Sequence, residues 1–262
     1  MNSDHTTPGL TRGRLLRNAG VLGLAAAAAG SLGAGSSLAA LRSASSASTA
    51  LALTPEQEEG PFYVALEKIR KDIRLGKQGV PLQLKLKVVD TTNKPVANAA
   101  CDIWQCDADG VYSDESSENT VGRTYLRGVQ LTDATGLAAF TTIYPGHYQG
   151  RTTHIHIKVH VGGKVSRTAY SGGHVSHTGQ LLFDDALTTQ VYKLAPYTSD
   201  TATRVLNTQD RVYSEQGGGK ALLKLTRLGS SVGDGLLGTM TLVVDPSATP
   251  ALIGATSSGP GH

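Results

Sequence analysis

The sequence predicts an all-β protein, a single β-sandwich domain with long loops and few short helices. Three observations carry this. Apolar and polar residues alternate at period two in several stretches, the spacing that lays one strand face on a core. Glycine is abundant, at 31 of 262 residues, and gathers in turn-forming clusters between those stretches. Strand-like runs recur at short spacing and none shows the periodicity of a long amphipathic helix, as sandwiches and barrels require.

Residues 1–50 read as an export signal followed by an Ala/Ser-rich linker. "TRGRLLRNAG" is a positive start, "VLGLAAAAAGSLGAG" a weakly apolar middle, and "SLAA" and "ASTA" are small-residue cleavage contexts. Residues 19–41 carry no charge, but Ala, Gly and Ser dominate them and make a poor membrane span. No stable span is expected after signal removal. Arg12 and Arg14 resemble a twin-arginine signal, with Gly13 between them. The expected location is therefore extracellular or in the cell envelope. The net charge of +3 belongs to this segment, which holds four arginines and one acid. The remainder is balanced, and no basic stripe suggests nucleic acid.

Residues 51–262 are expected to form the catalytic sandwich. "PLQLKLKVVD" alternates Leu82, Leu84, Leu86 and Val88 with Gln83, Lys85 and Lys87, a clear strand. "TTNKPVANA" is a turn, and "ACDIWQCDADGVYSD" a strand entering a loop. "TYLRGVQLTDATGLAAFTTIYPG" holds two strands around "TDATG". "GGKVSRTAY" resumes a strand after a turn. "TGQLLFDDALTTQVYKLAPY" starts as a strand and ends as a short helix, and "TMTLVVDP" is a last strand. Cys101 and Cys106 lie five apart, on opposite faces of a strand, too distant for a disulfide; they read as small buried residues.

"GRTTHIHIKVHV" is the informative stretch. Its odd positions, Ile155, Ile157, Val159 and Val161, suit a core; its even positions are His154, His156, Lys158 and His160. A His-x-His pair on one face is half of a metal site. Tyrosine is unusually frequent, nine against three Phe and one Trp. Tyr112 ("DADGVYSD") and Tyr148 ("IYPGHYQGR") lie in glycine-rich loops at strand ends, where a rigid sheet presents functional groups. A phenol with its ordinary pKa near ~10 is a poor ligand until a cation strips its proton. Ferric iron favours such anionic oxygen donors. His160 is expected at the surface or behind the site, because it lies ~13 Å along the strand from His156. His174 and His177 are expected in a loop, and "DADG" in a tight turn presenting Tyr112.

"EGPFYV", "DIWQCDADGVYSD", "YLRGVQLTDATG", "TIYPGHYQGRTTHIHIKVHV" and "GDGLLGTMTL" resemble the intradiol ring-cleavage dioxygenases over nearly all of residues 53–245. The resemblance implies a β-sandwich holding one non-haem Fe(III) per chain through Tyr112, Tyr148, His154 and His156. It implies Arg151 beside the substrate, with Tyr63 and Gln190 as further substrate-binding candidates. The expected partners are a small aromatic diol and O2, and a homo-oligomer is compatible with the chain. The implied reaction is cleavage between the two hydroxylated carbons to a cis,cis-muconate, with Tyr148 taking a catechol proton and Arg151 stabilising charge on the ring. Gln105 and His147 depart from the family pattern, which bears on substrate preference. Two rival readings are a zinc hydrolase using His154, His156 and Asp107 or Asp114, and a non-catalytic binding module.

Overall fold

The structure, a computed structural model, describes residues 49–65 and 68–254. The expected export signal, and all but the last two residues of the linker, lie outside the described residues. The chain runs through β1 (Pro81–Val89), β2 (Ala100–Trp104), β3 (Arg127–Leu131), β4 (Leu137–Ile143) and β5 (His154–Val161). It continues through β6 (Lys164–Ser166), β7 (Ala169–Ser171), β8 (His174–Leu182) and α1 (Asp185–Val191). It ends with α2 (Arg211–Glu215), β9 (Lys224–Arg227) and β10 (Leu236–Val243). Among the described residues no helix is long and apolar enough to cross a membrane.

The strands form two four-stranded sheets, ordered β4-β1-β10-β9 and β3-β2-β5-β8, and a small β6-β7 hairpin. β1 and β10 run parallel; the other neighbours are antiparallel. In β1 the alternation becomes geometry: Leu82, Leu84, Leu86 and Val88 are buried while Gln83, Lys85 and Lys87 face out. The core lies between the sheets, where these side chains and Phe140 meet Cys101, Ile103, Ile155, Ile157, Val159 and Val161. The odd positions of β5 thus face the core, as expected.

Two local expectations are corrected, and one strand is added. "GGKVSRTAY" is not one resumed strand but the β6-β7 hairpin, inserted between the paired strands β5 and β8. β8 begins at His174, so His174 and His177 are strand residues rather than loop residues. "TDATG" separates two strands as expected, carrying the chain from β3 in one sheet to β4 in the other. β9, whose short and mostly exposed "KLTR" has no strong alternation, was not expected.

The largest surprise is the even face of β5. All eight residues of the strand are buried, not half of them. Residues 54–63 lie across that face. Gln57 N–H donates to the Thr178 carbonyl, Gln57 Oε1 accepts from Gln180 N–H, and Glu59 pairs with Lys158. Cys101 and Cys106 are both buried and free, as read.

The two faces of β1 give a direct check. Leu84→Ala, at a fully buried position opposite Phe140, should lower unfolding stability by ~2–5 kcal/mol in urea titration. Lys85→Ala, one residue along on the exposed face, should change it by less than about 0.5 kcal/mol.

Candidate metal centre

Register assembles the site. Directly paired residues on antiparallel strands share a face. Arg127 of β3 pairs with Trp104 of β2, Trp104 with His156 of β5, and His156 with Gln180 of β8. One row across the sheet is therefore Arg127–Trp104–His156–Gln180. The Trp104 ring lies parallel to the His156 imidazole, with centroids 4.8 Å apart and 3° between planes. Arg127 is fully buried and reaches outward, donating from Nη1 to the Phe62 carbonyl at 2.6 Å and from Nη2 to the Ser113 carbonyl at 2.7 Å. It ties both the covering segment and the Tyr112 loop to the sheet.

The tyrosine loops bring two phenols over this row. Asp107 shapes the first: its Oδ1 accepts the amides of Asp109 and Val111, making the tight turn expected for "DADG". Gly110 follows with φ +82°, and a side chain there would collide with the His147 carbonyl of the second loop. The two loops can touch only because this residue is glycine. Tyr112 then stacks on Phe62 at 4.4 Å, and the Tyr148 ring lies edge-on to it at 5.6 Å.

The donor atoms converge. Nε2 of His154 and Nε2 of His156 are 3.0 Å apart, and the Tyr148 hydroxyl is 3.3 Å from Nε2 of His154. Nδ1 of His154 is 2.6 Å from the Thr152 carbonyl. A carbonyl only accepts, so Nδ1 carries the proton and Nε2 presents its lone pair to the site. Two nitrogens bound to one metal at ~2.1 Å and right angles would lie ~3 Å apart, which is the spacing found. The Tyr112 hydroxyl is buried without a hydrogen-bond partner. A buried orphan of this kind calls for an explanation, and a cation beside it supplies one.

Burial sets the protonation states. The His154 imidazole is pushed down to about 3, mainly by desolvation and then by Arg151. Desolvation, then His154, holds His156 well below the ordinary range. Both are neutral and ready to ligate. Desolvation pushes the Tyr148 phenol up to about 12 against the pull of Arg151. It raises Tyr112 well above the ordinary phenol range, with Tyr148 adding to the shift. Only a strong positive charge would make these phenols anionic near neutrality. The residues present therefore fit a multiply charged cation.

The other expected residues separate. Arg151 joins the site: it neighbours Tyr148 electrostatically, and its Nη2 donates to Gln180 Oε1 at 2.5 Å. Tyr63 stands one residue back, its ring against Trp104 and its hydroxyl donating to Asp102 Oδ2 at 3.0 Å. Gln190 is not at the site. It lies exposed on α1, bonded to the Ala186 carbonyl and to Arg227. The glutamine at the site is Gln180. A helix turns Gln190 outward, whereas strand pairing sets Gln180 opposite His156.

His160 is buried rather than superficial, with Nε2 3.8 Å from Asp102 Oδ2, and it stays outside the donor set. His177 is buried against Glu56, at 2.7 Å. Gln105 and His147 do not line the site. Gln105 ties β2 to β4 through Thr142 and the Ile143 carbonyl. His147 stacks on Tyr192 and donates from Nε2 to the Ala202 carbonyl. Among the described residues no third His, Cys, Asp or Glu joins the histidine pair. Asp107 is committed to Lys77 and its own turn, and Asp114 to the Gly122 amide. The zinc-hydrolase reading therefore has no carboxylate ligand.

A sandwich carrying two imidazoles and two phenols on one outer sheet face defines a class of proteins. The family model described as dioxygenase matches residues 58–206, more than half of the chain. The intradiol ring-cleavage dioxygenase from Tetranychus urticae superposes with a TM-score of 0.67 at 31% identity, over 77% of this chain and 98% of that one. The chain belongs to the intradiol ring-cleavage dioxygenase family. It is 37% identical over 93 residues to hydroxyquinol 1,2-dioxygenase of Corynebacterium glutamicum, covering 34% of this chain and 30% of that protein. It is 28% identical over 185 residues to catechol 1,2-dioxygenase of Candida albicans, covering 63% and 58% respectively. The chain thus spans less than two thirds of these curated relatives.

The buried histidines predict acid sensitivity. His160 is pushed down to about 4 by desolvation and by Lys158. Unfolded histidines titrate near ~6.5, so below that pH the unfolded chain binds more protons and folding weakens. The metal-free protein should lose stability as pH falls from about 6.5 toward 4. His160→Asn should shrink that loss by on the order of 2–3 kcal/mol, read from urea midpoints at both pH values.

Proposed function

We propose that this chain is a non-haem Fe(III) intradiol dioxygenase, with one iron per chain. It cleaves a catechol-type aromatic diol with O2 to a cis,cis-muconate. The observation that carries the reading is the convergence of Nε2 of His154 and His156 on the Tyr148 hydroxyl, beside the orphaned Tyr112 hydroxyl. Two imidazoles and two ionisable phenols leave a ferric ion with one net positive charge and suit its preference for anionic oxygen. When bound, the ion supplies Lewis acidity that stabilises the catechol dianion and makes its ring reactive toward O2.

The protein's own groups have separate tasks. Tyr148 is the half-buried phenol, and its high proton affinity when free suits it to accept a catechol proton. Arg151 is a fixed cation in a dry site and stabilises negative charge gathering on the ring. Gln180 holds Nη2 of that guanidinium. Trp104 and Phe62 fix the His156 and Tyr112 rings by stacking and exclude water. Export is part of this reading and rests on the sequence of residues 1–50 alone.

The visible spectrum of iron-loaded protein, before and after catechol under argon, tests the proposal. A red-brown band that moves to longer wavelength is expected, and admitting O2 should then yield a muconate. His156→Ala should abolish band and product together. A protein that stays colourless after iron loading would sink the reading. Arg151→Ala should lower kcat by roughly 100-fold with iron per chain unchanged. Loss of iron at an unchanged rate per iron would remove Arg151 from that role.

A further inference from the structure

We infer that Asp210 is a positioning residue that aims both Arg151 and His154, and that it does so for the reaction proposed above. Asp210 lies 58 residues from Thr152 in sequence and has no exposed surface. Its Oδ2 accepts Arg151 Nε–H at 2.8 Å and Thr152 N–H at 2.8 Å. Its Oδ1 accepts the amides of Val212 and Tyr213 at 2.7 and 3.2 Å, capping α2. A cap needs only the second oxygen. The first is turned toward the dipeptide that leads into the histidine strand.

The consequence for Arg151 is geometric. A guanidinium is planar, so fixing two of its nitrogens fixes the plane. Asp210 takes Nε and Gln180 takes Nη2. Nη1 is left 3.9 Å from Glu58 Oε1, beyond hydrogen-bond reach. Without Asp210 the side chain would pivot about Gln180, and its half-buried charge would lose its nearest partner. Burial alone would raise the Asp210 carboxyl, yet Arg151 and the Thr152 amide hold it below the ordinary value. The pair is therefore ionised on both sides.

The consequence for His154 runs through Thr152. Asp210 grips the Thr152 amide, and Asn207 Oδ1 accepts from the Thr152 hydroxyl at 2.8 Å. The Thr152 carbonyl in turn accepts from His154 Nδ1, the bond that turns Nε2 toward the other donors. Groups that orient metal-binding histidines in this way tune the site without touching the metal. Asn207 and Asp210 lie just beyond the stretch 58–206 matched by the family model.

Asp210→Asn is the informative variant, because asparagine still caps a helix but removes the charge and cannot satisfy both Arg151 and Thr152. In iron-loaded protein kcat for catechol should fall ~10- to 100-fold, read well below the variant's own melting transition, which loss of a buried ion pair will lower. Asp210→Asn added to Arg151→Ala should cost clearly less than Asp210→Asn costs alone, the remainder being the part carried through Thr152 to His154. A second readout needs no turnover. In metal-free protein the Arg151 Nε–H should give an exchange-protected NMR signal, identified by its loss in Arg151→Lys and absent in Asp210→Asn. A surviving signal with unchanged kcat would overturn the inference. So would a full additional loss in the double variant. If wild type is colourless and inactive, the proposed function fails on its own, and the Nε–H signal still decides whether Asp210 holds Arg151.

Discussion

The structure depends on one strand that is buried on both faces. β5 gives its odd side chains to the apolar core and its even side chains to the outer face of the sheet. The odd face is an ordinary hydrophobic contact. The even face is costly, because imidazoles and a lysine must be covered without water. Residues 54–63, Trp104, Arg127 and the tyrosine loops can be understood as the answer to that cost. Each covers part of the face and supplies a hydrogen bond, an opposite charge or a stacked ring. Gly60 shows how closely the cover fits: with φ +73°, a Cβ there would stand 3.1 Å from the His156 ring.

Burial acts on the four donors in one sense, toward neutrality, with unequal results. Neutral imidazole is already the ligand form, so desolvation prepares His154 and His156. Neutral phenol is the wrong form, so the same desolvation sets Tyr112 and Tyr148 against ligation until a cation arrives. A site built this way discriminates by charge. Arg151 is the fixed cation beside the donors, and Asp210 pairs with it at 2.8 Å.

Much of this was legible from local sequence. The His strand announced itself by alternation, and the tyrosine loops by glycines at strand ends. What escaped was set by pairing between distant segments. Gln180 sits opposite His156 only through the β5-β8 register, which the β6-β7 hairpin hides from a linear reading. Gln190 drew attention through a short local match, but α1 turns it toward Arg227. The cover of the outer face of β5 comes from residues 54–63, far upstream, and no local pattern in the strand announces it. Gln105 and His147 stand out in the sequence only as departures from the family pattern. Their hydrogen bonds show them bracing β4 and the Ala202 segment.

The two covers of the site come from segments far apart in the chain, and they meet at Glu58, which bonds to a residue 158 positions away. Glu58 N–H donates to Gln216 Oε1, its carboxylate pairs with Arg211, and its carbonyl accepts from Gln180 Nε2. Arg151 lies beneath this junction, between Glu58 and Asp210. The sandwich core could form without either cover, since its apolar contacts lie on the other side of β5. The dry environment of Arg151 could not. Holding that cation in place therefore depends on docking residues 54–63 and 207–216 onto a finished sheet. The precision of the site is a property of these two segments as much as of the strands that carry its donors.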